Sequence, residues 1–516
     1  MGKINFLFSL IFLCAGCQFP NRPSPFDRFI DPQPNKTYDL LFSDAQIIDG
    51  SGAEPYRADL LIDDQKILFI GRVDTSKITI EKVVEVKGLT ITPGFIDTHA
   101  HGDPLTHPNF SNFLAMGVTT ICLGQDGSNL PLKLDDWMKA IEQQATGPNI
   151  ALLIGHTYLR DRSGIQYKKF STKSELEAEQ KLLSVAFQKG VFGLSTGLEY
   201  TPGIFADDAE LIPLAKIVGQ NKGIIMSHVR SEDDDLLDQS IRELLRQGEH
   251  CNVHIAHLKS VYGKGKERAQ EILNLITQKQ HSTYRISADV YPYLASYTGI
   301  GIVFPDWAKA PNDYREVVKN RKTELLAFLK QKIKDRNGPE ATLFGTPPYA
   351  GKTLAQVSEE QGLPYEKVLL GIGPSHVSGA YFIMDDSLQE AFIVHPEIMI
   401  CSDGSPTMRH PRGYGTFAKI IEEYVGRRKK LTLSAAIYKM TGLPAKTLGL
   451  KERGLIKEGY FADLLVFDPS RIRANATYEE PHQLATGFEQ VWVNGHLTWK
   501  NNTYQRPGKG LLLKSK

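Results

Sequence analysis

Two histidines one residue apart can hold a single metal ion when they lie on a strand, because alternation puts both imidazoles on one face. The string PGFIDTHAH supplies such a pair, His99 and His101, at the end of an apolar run. Further residues of ligand chemistry close other apolar runs in chain order: His228 in IIMSHVRSE, His257 in VHIAHLKS and Asp403 in MICSDGSP. Taken singly, each is more simply a packed or surface histidine, or an Asp capping a turn. Together they require a fold that gathers strand ends far apart in sequence. An imidazole-rich set of this kind suits one or two divalent ions, Zn²⁺ first, which lower the pKa of a bound water and polarise a carbonyl. Asp403 is then the expected general base, taking the proton of the attacking water and passing it to a leaving amine.

The elements that must position these residues are legible as alternating strand-like and helical runs. Candidate strands cover 94–97, 118–124, 149–156, 190–197, 223–229, 251–257, 284–292 and 397–403, the eight that a closed parallel barrel needs. Segments 174–189 and 235–247 between them are apolar at i, i+3 and i+4, as crossover helices are. In such a barrel every strand opens its carboxyl end on one face, so the four histidines and Asp403 converge there. The interval of about 305–374 is too long for a plain connection and is expected to form a lid or helical insertion over the mouth. Short apolar runs with turn signals at 37–92 return at 454–516, suggesting a small β-sandwich built from both ends. The expected architecture is therefore α/β: a TIM-like (β/α)8 barrel over 93–453 with that sandwich attached.

The 516 residues carry 60 Lys plus Arg against 59 Asp plus Glu, which argues against nucleic acid and for a small-molecule partner. Residues 1–17, MGKINFLFSLIFLCAGC, have the grammar of a signal peptide, and Cys17 after Ala-Gly resembles a bacterial lipobox. Cys14 stands where Leu is more usual. Acylated Cys17 would give the only membrane contact, with the Pro- and Asn-rich 18–36 as a tether, on an exported protein in the periplasm or at the outer membrane. Cys122, Cys251 and Cys401 lie in or beside strand-like runs and are expected as buried thiols without a disulfide.

The order His-x-His, His, His, Asp along these strands resembles the amidohydrolase superfamily. Within it, GFIDTHAHGD, GLSTGLEYTPG, SHVRSE, IAHLKS, ADVYPY, SDGSP and HPRGYGTF are similar to the N-acyl-D-amino-acid deacylase (D-aminoacylase) group. That group commonly has a metal-ligating Cys after strand two, where this chain reads Gln125-Asp126-Gly127 and Cys122 stands four residues too early. Asp126 could replace the thiolate as an oxygen ligand or simply hold the loop. Glu199, ending strand four, is the expected replacement, as a carboxylate bridging two metals. The resemblance further implies that Lys259, Tyr291 and Arg412 hold a substrate carboxylate, with Arg230 and Tyr200 as lesser candidates and His156 and His254 as structural. The implied reaction is hydrolysis of a linear amide, in an N-acyl-D-amino acid or a dipeptide ending in a D residue. Cyclic amide opening, isoaspartyl dipeptide cleavage, or a ligand-binding lipoprotein with a decayed site are the alternatives.

Overall fold

The structure is a computed structural model that describes residues 28–31, 33, 36–130, 132–277 and 283–515. The expected signal segment with Cys17, and most of the expected tether, lie outside the described residues. Among the described residues, no helix is long and apolar enough to cross a membrane.

Five strands open the fold: β1 (Thr37–Ile47), β2 (Tyr56–Asp63), β3 (Lys66–Gly71), β4 (Thr79–Glu85) and β5 (Thr90–Pro93). The chain then enters the barrel through β6 (Phe95–Asp97), β7 (Val118–Leu123), β8 (Asn149–Gly155), β9 (Gly193–Gly197), β10 (Ile224–His228), β11 (Asn252–Ile255) and β12 (Ile286–Val290). Three strands of an insertion follow, β13 (Ala295–Gly299), β14 (Thr342–Phe344) and β15 (Ser378–Phe382), before β16 (Ile398–Ile400) completes the barrel. The last four are β17 (Leu464–Phe467), β18 (Phe488–Val493), β19 (His496–Lys500) and β20 (Thr503–Tyr504).

All neighbouring pairs from β6 to β12 and on to β16 are parallel. Just beyond β6 and β16, Asp403 N donates to His99 O at 2.8 Å and His101 N to Gly404 O at 2.8 Å, joining the first strand to the last. Each strand buries both faces, as a parallel sheet under helices must. The covering helices follow from sequence. Residues Lys173–Gln188 start at a capping box in which Thr172 and Glu175 satisfy each other's backbone amides. Asp234–Gln247 turns Leu237, Ile241, Leu244 and Leu245 onto the barrel. The thiols of Cys122, Cys251 and Cys401 are buried and unpaired.

The outer strands form one nine-stranded sheet ordered β20-β19-β18-β17-β5-β1-β2-β3, with β4 branching from β1. The expected sandwich from both ends is thus a single branched sheet whose inner faces share one core, including Phe42, Leu60, Ile91, Leu464 and Trp492. It meets the barrel at a buried polar knot. Asp463 accepts from Asn494 N at 2.8 Å and from Asn149 Nδ2 at 3.3 Å, and it pairs with Arg453. Between β5 and β6, Gly94 is required because a Cβ there would lie 2.1 Å from Thr119 Oγ1. The final residues run along β8, with Ile150 N donating to Leu511 O and Leu513 N to Ile150 O, both at 2.8 Å.

The insertion is larger than the 305–374 read from sequence, and it is not purely helical. It begins at β13 and ends at β15, which pair antiparallel with β14 in the order β13-β15-β14. The helix Tyr314–Asp335 packs Leu325, Leu329 and Ile333 against Phe344, Leu354 and Leu369, a core of its own. Its inner edge reaches the barrel mouth.

Candidate metal centre

Four histidines and several carboxylates meet where the strands end. His99 and His101 leave β6 on the same face, with His99 fully buried. Beyond β16, Asp403 Oδ1 lies 3.1 Å from His101 Nε2 and 3.7 Å from His99 Nε2. His228 ends β10 and His257 follows β11, their rings joined by a 3.0 Å approach of Nδ1 to Nε2. Asp126, after β7, stands between the two histidine pairs. Its Oδ1 is 3.3 Å from His99 Nε2 and 3.4 Å from His257 Nε2, and its Oδ2 is 3.4 Å from His101 Nε2.

Local backbone makes this aim possible. Asp126, His257 and Asp403 all occupy the left-handed region, with φ of 54°, 37° and 48°. Asp and His tolerate that region better than branched residues do, and the turn it makes ends each strand with its side chain over the mouth. Gly124, at φ +86°, prepares the turn to Asp126; a Cβ there would lie 2.2 Å from Leu153 O.

Asp126 therefore takes the central place expected of Glu199. Glu199 Oε2 lies 2.8 Å from His228 Nε2 and belongs with His228 and Glu232 on one side of the site. The reason is geometric: β9 faces the His228 edge, whereas the loop after β7 crosses between both pairs. Two ligand groups share Asp126, one with His99, His101 and Asp403, the other with His228 and His257.

The donor set fits divalent ions on its own chemistry. Both ring nitrogens of buried His99 and Oδ1 of buried Asp126 have no hydrogen-bond partner, the arrangement that a metal ion satisfies. Behind the rings, Glu232 Oε1 is 3.1 Å from His257 Nδ1, leaving Nε2 directed at Asp126. Asp289 accepts from His257 N at 2.6 Å and from Thr98, and sits 3.0 Å from His254 Nε2. Neither Glu232 nor Asp289 stood out in the sequence. Each lies inside a string that resembles the family, and Glu232 is one helical turn's count beyond His228, the only signal available.

Charge is held tightly here. Burial disfavours the Asp403 carboxylate, but the Arg412 guanidinium at 2.8 Å, with the nearby imidazoles, holds its pKa far below the ordinary range. Burial likewise opposes charge on Asp126, and His99, His101 and His257 overcome it in the same direction. Burial of the His101 ring would lower its pKa, yet the Asp126 and Asp403 carboxylates raise it to about 9.

The expected carboxylate-binding residues are all buried rather than on the surface. Lys259 Nζ reaches Glu232 Oε1 at 2.5 Å and His257 Nδ1 at 2.8 Å. Arg412 binds Asp403 and, at 3.3 Å, the Tyr297 carbonyl. Tyr291 lies between these cations, 5.7 Å and 4.7 Å from its ring centroid, with its hydroxyl unpartnered. Tyr200 lines the cavity with its ring 4.5 Å from that of His228. Arg230 points away, gripping Glu243 and the carbonyls of Ile204 and Ala206. His156 sits in a separate buried network with Glu210, Glu179 and Arg160.

The cavity above the centre encloses about 230 Å³, enough for a small substrate and lined by Asp126, Glu199, Asp403 and Arg412 among others. A parallel barrel with imidazoles and carboxylates converging at its mouth is the architecture of the metal-dependent amidohydrolases. The Amidohydrolase family model matches residues 397–498. The chain is 31% identical to the N-acyl-D-aspartate deacylase of Alcaligenes xylosoxydans xylosoxydans over 92% of this chain and 95% of that one. It is 30% identical to the same organism's D-aminoacylase over 94% and 98%. Among solved structures, the N-acyl-D-glutamate deacylase of Bordetella bronchiseptica complexed with zinc and a phosphonate inhibitor superposes with TM-score 0.78 at 27% identity, covering 92% of this chain and all of the other. The chain belongs to the N-acyl-D-amino-acid deacylase family of amidohydrolases.

Proposed function

We propose that this enzyme hydrolyses the linear amide of an N-acyl-D-amino acid, or of a dipeptide with a D residue at its carboxyl end, using Zn²⁺ or a similar divalent ion. The observation that carries this reading is Asp126 between two histidine pairs, with Asp403 at their edge and in contact with Arg412. His99, His101 and Asp403 would hold one ion, His228 and His257 a second, Asp126 both, and Glu199 the outer edge of the second. Ions held there supply Lewis acidity toward water and toward the amide carbonyl.

The protein's own groups do the rest. Asp403 is a free carboxylate at neutral pH and accepts the proton of the water whose oxygen attacks the carbonyl carbon. The same proton passes to the amide nitrogen as the carbon–nitrogen bond breaks, so carboxylate and amine leave without another proton source. Arg412 fixes the orientation of Asp403, and Glu232 fixes that of His257. The α-carboxylate of the substrate is assigned to Arg412, Lys259 and the free Tyr291 hydroxyl. An exported protein anchored through acylated Cys17 completes the reading, supported by the grammar of residues 1–17.

The test is a screen of metal-loaded and chelated enzyme against N-acyl-D-amino acids, their L counterparts and dipeptides. Hydrolysis of the D compounds, lost on chelation and restored by Zn²⁺, is the expected result. Hydrolysis confined to L compounds, or indifference to chelation, overturns it. Labelling with a radioactive fatty acid in parent and Cys17→Ala cells tests the anchor; equal labelling of both would refute it.

A further inference from the structure

One cation at the cavity wall is not used by the chemistry above. Arg336 follows the insertion helix Tyr314–Asp335 and lines the cavity, yet only 4% of its surface is exposed. Among the described residues it makes no ion pair, and its Nε has no hydrogen-bond partner. The acidic groups that share this wall are already matched. Lys332, one turn earlier on the same helix, holds Asp233 at 3.3 Å, and Lys259 holds Glu232 at 2.5 Å. Around Arg336 stand aromatic rings: Tyr381, whose centroid is 5.1 Å from Cζ, and Tyr262, and neither has a partner for its hydroxyl.

A guanidinium this buried with no counter-ion is costly unless something else supplies the negative charge. Its planar fork matches a carboxylate, and two unpaired phenols beside it can donate to the same oxygens. The position is also distinct from the carboxylate clamp assigned to Arg412, Lys259 and Tyr291, because Arg336 comes from the insertion and not from a barrel strand. We infer that Arg336, with Tyr262 and Tyr381, forms a second anion subsite that receives the acidic side chain of the substrate, making N-acyl derivatives of D-aspartate or D-glutamate the preferred class. This inference rests on the reaction proposed above, and it adds the side-chain specificity that the metal centre cannot set.

The test compares kcat/KM for N-acetyl-D-glutamate and N-acetyl-D-aspartate with that for N-acetyl-D-leucine in the parent, Arg336→Met and Arg336→Lys. A parent that favours the acidic substrates, and a ratio that falls roughly thirty- to hundredfold in Arg336→Met with partial recovery in Arg336→Lys, is expected. If all substrates decline together and the ratio holds, Arg336 grips the α-carboxylate or only supports the fold, and the inference is overturned. Calorimetric affinities of the same compounds for Asp403→Asn enzyme, with and without Arg336→Met, decide the matter without turnover. A parent that cleaves no N-acyl-D-amino acid refutes the reaction, whereas the affinity ratio still reports on Arg336 alone. Tyr262→Phe and Tyr381→Phe should lower the same ratio by a smaller factor.

Discussion

Asp403 must remain ionised to accept a proton while packed beside histidines and out of water, and Arg412 is what reconciles the two. Asp403→Asn keeps the shape and removes the base. Turnover should fall by roughly a thousandfold or more, while metal content measured by plasma mass spectrometry stays close to that of the parent. Retained turnover would remove Asp403 from its role. The carboxylate at the centre makes a sharper prediction. Asp126→Ala should empty the site of at least one ion, whereas Glu199→Ala should leave the ion at His99 and His101 in place, as its 2.8 Å contact is to His228 alone. The reverse pattern would restore Glu199 to the bridge. His99 and His101 were legible because their relation is local, two positions on one strand. The choice between Asp126 and Glu199 was not, since it depends on which loop crosses the mouth, and that is set by the barrel's closure. Arg336 was hidden for a related reason: a lone Arg ending a charged helix looks like any solvated surface residue.

At the scale of elements, the barrel strands were plain because each is a dense apolar run, as in NIALLIG and GIIMSH. The strands of the insertion were not, because ASYTG and SGAYF carry small and polar residues and are short. They are strands through pairing with one another, a tertiary cause that local sequence does not express. Another element-level feature concerns Lys439, on the helix Leu433–Met440, whose ammonium is buried against the carbonyls of His395 and Ile398 at the start of β16. Burial pulls its pKa from 10.5 down to about 7. Between those values the unfolded chain holds a proton that the folded chain has released, so this group makes stability rise with pH. Below pH 7 both states are protonated and the cost of burying the charge is complete. Lys439→Met should thus gain least, or lose most, relative to the parent near pH 10, and compare best at pH 6. Equal differences in denaturation midpoint at both pH values would contradict the buried charge.

For the molecule as a whole, the two parts are fastened at Asp463, which ties β8 of the barrel to the strands that close the outer sheet. Asp463→Ala would leave Arg453 buried without its partner, a loss of about 3–5 kcal/mol. Urea denaturation should show the parent unfolding in one transition and the variant at markedly lower urea; a midpoint within error of the parent would discount the knot. The general plan, a parallel barrel enclosed by strands from both ends, was readable because repeated runs and matching termini constrain topology strongly. That the outer strands make one branched sheet was not, since branching at β1 is a matter of register between residues hundreds of positions apart.

The antiparallel pairing of β5 with β17, Thr90 to Pro93 against Leu464 to Phe467, has a kinetic side. The first five strands are synthesised long before the strands that complete their sheet, and a loop the length of the barrel must close before those contacts form. During that interval β5 has an unpaired edge, which invites association with other chains. The barrel must therefore fold first and bring the ends together. Removing even the final pairing of Leu511 and Leu513 with Ile150 should lengthen the wait, and refolding yield should drop with protein concentration more steeply than the native enzyme's stability would suggest.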